Sequence, residues 1–92
     1  MAKARAHVLI TGLVQGVGFR GSVYYRAAAL GLTGWVRNHH YDAVEALFEG
    51  EEESVHQMVQ WCHRGPSSAI VKQVEVDWQT PTGEFHSFNI TS

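Results

Sequence analysis

The chain has 92 residues, of which 45% are hydrophobic and 11% aromatic, and its formal net charge is −2. This length makes one small domain with a thin core and leaves no room for separate cofactor and substrate domains. The slightly acidic balance gives none of the basic field that nucleic acids or anionic membranes select, and no apolar run is long enough to span a bilayer.

The first predicted strand covers residues 6–12, with Val8 and Ile10 on one face and His7, Leu9 and Thr11 on the other. The run Gly12-Leu13-Val14-Gln15-Gly16-Val17-Gly18-Phe19-Arg20 follows it. A helix is predicted from Ser22 to Leu30, because Val23, Ala27 and Leu30 recur at helical spacing, and Gly31 ends it. Residues 32–38 alternate again, with Leu32, Gly34, Val36 and Asn38 opposite Thr33, Trp35 and Arg37. His39 to Asp42 form a hairpin turn, and residues 43–49 return with Val44, Ala46 and Phe48 inward and Glu45 and Glu49 outward.

The second helix opens on Glu51, Glu52 and Glu53, where carboxylates suit the helix dipole. Its apolar stripe is Val55, Met58, Val59 and Cys62, and it closes with Arg64 in the last turn before Gly65-Pro66. A strand from Ala69 to Trp78 sets Ile70, Val74, Val76 and Trp78 against Gln73, Glu75 and Asp77. A turn at Pro81-Thr82-Gly83 leads to a short strand carrying Phe88 and Ile90. The order βαββαββ predicts an α+β fold. We expect a ferredoxin-like two-layer sandwich over residues 1–92, with a mainly antiparallel sheet and both helices on one face.

Three glycines in seven positions, a helix start and Arg20 make an anion cradle, with phosphate the natural ligand. The run is neither a Walker A loop nor a dinucleotide fingerprint, since the closing Gly-Lys-Ser/Thr and the G-x-G-x-x-G spacing are both missing. On these residues alone a tight strand-to-helix turn with a surface arginine remains an equal reading. Asn38 at the end of the second strand reads either as a turn-capping residue or as an amide that holds a water opposite the glycine loop.

The stretch Ile10 to Arg20 resembles the first signature of the acylphosphatase family, enzymes that hydrolyse acyl phosphates to a carboxylate and inorganic phosphate. Gly34-Trp35-Val36-Arg37-Asn38, followed by Val44 and Gly50, resembles the second. The resemblance spans residues 7–90 and implies a single acylphosphatase-like domain. It further implies that Arg20 grips the phosphoryl group, with the backbone N–H groups of Gln15, Gly16, Val17, Gly18 and Phe19 completing the cradle, and that Asn38 positions the attacking water. Family members use no metal and no organic cofactor, and their partner is a small acyl phosphate.

One position departs from the pattern. Asp42 stands where the second signature has glycine. Aspartate tolerates left-handed backbone better than most residues, so the turn is expected to persist in altered form, with a carboxylate near the anion site. That carboxylate keeps open a second reading, a non-catalytic anion-binding regulatory domain of the same fold. The first signature also marks domains of larger carbamoyl-transferring enzymes, but a chain of this length suggests the free-standing enzyme. An RNA-recognition module shares the element order, yet residues 44–48 lack its basic and aromatic signature.

The remaining reactive side chains point to structure. His7, His39, His40, His56, His63 and His86 form no convincing metal set. Cys62, the only cysteine, lies on the apolar stripe and reads as a buried hydrophobe. A lone cysteine allows no intramolecular disulfide, and the N-terminal residues resemble no signal peptide, so a cytoplasmic location is expected. With no apolar stripe left over, a monomer is expected too.

Overall fold

The computed structural model describes residues 2–92. Seven elements follow the predicted order: β1 (Lys3–Leu13), α1 (Phe19–Ala29), β2 (Thr33–His39), β3 (Ala43–Glu51), α2 (Glu52–Cys62), β4 (Ile70–Gln79) and β5 (Phe88–Ile90). The sheet order is β4-β1-β3-β2-β5. β1 runs antiparallel to both β3 and β4, and β2 antiparallel to β3, while β5 joins β2 in parallel. Both helices cover one face, α1 over β2 and β5, α2 over β1 and β3.

Strand alternation puts Val8 and Ile10 of β1, Val36 of β2 and Val44, Ala46 and Phe48 of β3 into the helix-facing core, all fully buried. From the helices come Phe19, Val23 and Ala27 of α1 and Val55, Met58, Val59 and Cys62 of α2. Burial pushes the Cys62 thiol up to about 12, which makes it an inert packing group. Gly34 lies between Phe48 and Phe88 in register, and the two rings stack across it at 5.6 Å. A methyl group on Gly34 would lie 1.9 Å from the Leu47 carbonyl oxygen, so only glycine lets β2 and β3 approach this closely.

Four sequence expectations are corrected. Helix α1 begins at Phe19 instead of Ser22, because Gly18 caps it in a left-handed conformation (φ 79°). At its other end Gly31 N–H donates to the Ala28 carbonyl (3.0 Å) and Leu32 N–H to that of Ala27 (2.9 Å), the paired bonds of a Schellman stop. Helix α2 begins at Glu52, with Glu51 still the last residue of β3, and ends at Cys62, which leaves Arg64 beyond its last turn. On β4 the pairing slips between Thr11 and Gly12, where Lys72 is the extra residue. This bulge turns Val71 toward the core and leaves Ile70 59% exposed.

Glu49 also departs from its expected exposure. It lies on the helix-free face as expected, yet it is only 6% exposed. Its carboxylate accepts from the N–H groups of Thr82 (3.3 Å) and Gly83 (2.6 Å) and from the Arg5 guanidinium (3.1 Å). Those bonds fasten the segment after β4 over the open face. Burial by itself would raise the Glu49 carboxyl, but these donors outweigh it and hold the group below the ordinary carboxylate range.

Candidate active site

β1 leaves the sheet at Leu13, and the chain must reverse to lay α1 back across it. Gly16 (φ 74°) and Gly18 (φ 79°) make that reversal through left-handed backbone. No atom lies within 4 Å of the place a methyl group would take at either, so conformation and not space requires glycine there. Phe19 then plunges into the core, its ring 5.5 Å from that of Trp61 and packed on Gly65. The buried ring fixes the first turn of α1.

Ser22 N–H, donating to the Gly18 carbonyl at 3.0 Å, is the first to find a helical partner. The N–H groups of Phe19, Arg20 and Gly21 therefore begin the helix without helical acceptors, and no side chain caps them. Arg20 projects from this same turn, is exposed, and makes no ion pair or side-chain hydrogen bond among the described residues. Free donors, a helix N-terminus and an uncompensated guanidinium thus share one place.

A hollow of about 240 Å³ lies here, lined by Val14, Gln15, Gly16, Gly18, Phe19, Arg20, Gly21, Asn38 and Ile90. It joins the two sequence motifs, because β1 and β3 are neighbours and β2 lies beyond β3. Of the predicted loop residues only Val17 is not in the lining. Its side chain packs against the core, and its carbonyl accepts from the Ser68 hydroxyl at 3.2 Å. Among the described residues no acidic side chain lines the hollow. Asp42 lies outside it. The turn's left-handed residue is His40 (φ 54°), while Asp42 keeps negative φ and its backbone carbonyl accepts from Gly12 N–H at 3.0 Å.

Asn38 Oδ1 is the single buried side-chain oxygen or nitrogen among the described residues with no hydrogen-bond partner. Leaving a buried acceptor unpaired costs about 1–3 kcal/mol. Its neighbours in sequence are anchored on the opposite face of the sheet. Arg37 Nε donates to Glu45 Oε1 (2.8 Å), His39 Nδ1 lies 3.7 Å from the same oxygen, and His7 Nε2 is 2.6 Å from Oε2. Burial alone would raise the Glu45 carboxyl, but the His7 and Arg37 hydrogen bonds and the Arg37 charge hold it below its usual range. With Arg37 and His39 held on one face, strand alternation directs Asn38 to the other.

The residues that sequence reasoning passed over are Val14, Gly21 and Ile90. Ile90 belongs to the final strand and reaches the hollow only through the parallel β2–β5 pairing, which no local pattern signals. A larger open groove of about 540 Å³ between the helices is lined by Arg26, Gln57, Gln60, Trp61, His63 and Arg64 and contains no residue of either motif. No cluster of three His, Cys, Asp or Glu side chains suited to a metal occurs among the described residues, and no helix is long and apolar enough to cross a membrane.

The five-stranded mixed sheet under two helices defines a ferredoxin-like α+β sandwich, as solved structures of similar shape bear out. The chain superposes on an acylphosphatase from Coxiella burnetii with a TM-score of 0.90 at 35% identity, covering 97% of this chain and 93% of that one. It superposes on the Bacillus subtilis acylphosphatase with a TM-score of 0.91 at 31% identity, covering 97% and 99%. The Acylphosphatase family model matches residues 6–90. A Pelotomaculum thermopropionicum protein named acylphosphatase is 51% identical over 98% of both chains. The chain belongs to the acylphosphatase family. It is an acid-anhydride hydrolase that cleaves the carboxyl–phosphate bond of small acyl phosphates.

Proposed function

We propose that Arg20 and the backbone N–H groups of residues 15–19 hold the phosphoryl group of the acyl phosphate, and that Asn38 positions the attacking water. The observation that carries this reading is the hollow whose lining Arg20 and Asn38 share, which brings an uncompensated guanidinium and a carboxamide side chain to one place. A water hydrogen-bonded to the Asn38 carboxamide where it lines the hollow would have a lone pair free to approach phosphorus. The carboxamide is neutral and orients this water without deprotonating it.

So small a set of groups suffices because of the leaving group. A carboxylic acid has a pKa of about 4, so the carboxylate departs unprotonated at neutral pH and no general acid is needed. The remaining work is charge stabilisation on the phosphoryl oxygens and alignment of water, which is most of what phosphoryl transfer asks of a protein. A guanidinium fork and a ring of main-chain donors provide the first, and one amide the second.

The protein acts as a monomeric single domain on small molecules in the cytoplasm. The single buried Cys62 and the acidic net charge support that setting. Hydrolysis of benzoyl phosphate by the Asn38→Ala variant tests the central assignment. Turnover is expected to fall by about 10²–10³-fold while inhibition by inorganic phosphate persists. Loss of phosphate inhibition with turnover intact would overturn the division of labour between Arg20 and Asn38.

A further inference from the structure

We infer that the Gln15 side chain is a positioning residue that aligns the glycine loop with Asn38; the inference rests on the water-positioning reading of Asn38. Gln15 has the only polar side chain between Gly12 and Phe19, the place where a ligand contact would be expected. Its Nε2 is instead committed elsewhere. It donates to the His40 carbonyl at 2.6 Å and to the Ala43 carbonyl at 2.8 Å, the first in the β2–β3 turn and the second at the start of β3. An amide nitrogen has two hydrogens, so its donor capacity is fully used.

These bonds fall where alignment is needed. The turn is three residues from pairing to pairing, His39 opposite Ala43, and Asn38 opposite Val44 is the next pair down. His40 is held in left-handed backbone, which costs a β-carbon residue free energy unless its surroundings fix it. The Gly12 N–H to Asp42 carbonyl bond supplies one tie from the loop strand, and the Gln15 carboxamide supplies the other two. Beyond the β1–β3 ladder, three hydrogen bonds therefore link the loop segment to the turn and to the first residue of β3, two of them through one side chain. The distance from phosphorus to the water site follows from that linkage.

Gln15→Met keeps the length of the side chain and removes both donors. We expect kcat for benzoyl phosphate to fall by roughly 10–100-fold, since misplacement on the order of 1 Å has that effect on an aligned reaction. Phosphate inhibition should stay within about threefold, because the cradle itself is untouched. Gln15→Asn keeps the amide one methylene short and is expected to lie between parent and Gln15→Met, which also covers a failure of the methionine variant to fold. The decisive readout is the double variant. In the Asn38→Ala background Gln15→Met should lower kcat by less than about twofold, because a residue acting through Asn38 has nothing left to align.

Losses that multiply in the double variant, or phosphate inhibition weakened as much as turnover, would overturn the inference. An impaired Asn38→Ala beside fully active Gln15→Met and Gln15→Asn variants would overturn it alone. An Asn38→Ala enzyme as active as the parent would overturn the water-positioning reading and this inference with it.

Discussion

Arg20→Ala should separate binding chemistry from stability, and the sign of the stability change is its sharpest test. Arg20 is exposed, has no ion pair or side-chain hydrogen bond among the described residues, and sits in the first turn of α1. A cation there opposes the helix dipole by about 0.3–1 kcal/mol, and alanine is the better helix former. Removing Arg20 should therefore raise the melting temperature, by about 1–8 °C at the 4–8 °C per kcal/mol typical of a domain this size. Activity should move the opposite way. Loss of one preorganised donor to a developing oxyanion costs about 2.7–4 kcal/mol of transition-state stabilisation, or about 10²–10³-fold in rate. Spectrophotometric hydrolysis of benzoyl phosphate with no added metal measures the second quantity, and a thermal melt by circular dichroism the first. Arg20→Lys retains charge without the two-pronged fork and should fall between parent and alanine. An alanine variant that melts lower than the parent and keeps near-parental hydrolysis would refute the reasoning on both counts.

The other predictions concern the scaffold. Asn38→Ala removes an unpaired buried acceptor, so it should melt no lower than the parent despite its lost turnover. Gly34→Ala would put its methyl 1.9 Å from the Leu47 carbonyl oxygen and is expected to cost about 3 kcal/mol or more in urea unfolding. Gly16→Ala meets no atom within 4 Å and should cost only the left-handed strain, about 1–2 kcal/mol. Glu49 stays ionised in the folded state to lower pH than in the unfolded chain. Its contribution is therefore complete above about pH 4.3 and is lost as pH falls through the lower folded value, so Glu49→Gln should flatten the acid limb of stability against pH.

Much of the fold was legible because its signals are local. Period-two alternation marked β1, β2 and β3, and the Val55, Met58, Val59 and Cys62 stripe marked α2. Errors arose where a distant segment decides the outcome. Ile70 looks inward by parity until the Lys72 bulge, set by pairing with β1, reverses the faces. Glu49 looks solvated until the N–H groups of Thr82 and Gly83, some thirty residues on, close over it. Phe19 reads as loop because Gly18 precedes it, and only contact with Trp61 and Gly65 makes it the first buried residue of α1.

The candidate site follows the same division, and this explains why two short motifs found it while its closure stayed hidden. Glycines with left-handed backbone and an arginine after them are sequence-local facts, and so is an asparagine at a strand end. What brings them together is β3, whose ladder to β1 on one side and β2 on the other places the glycine loop and Asn38 at the same end of the sheet. The Asp42 position is instructive here. Asp42 is expected from the sequence to carry a left-handed turn position and to bring a carboxylate near the anion site, but the left-handed burden falls on His40, two residues earlier. Asp42 contributes only a carbonyl to Gly12 N–H, and any residue can supply that. The turn therefore accepts aspartate without bringing a carboxylate into the hollow, and the positive potential around Arg20 is left uncancelled.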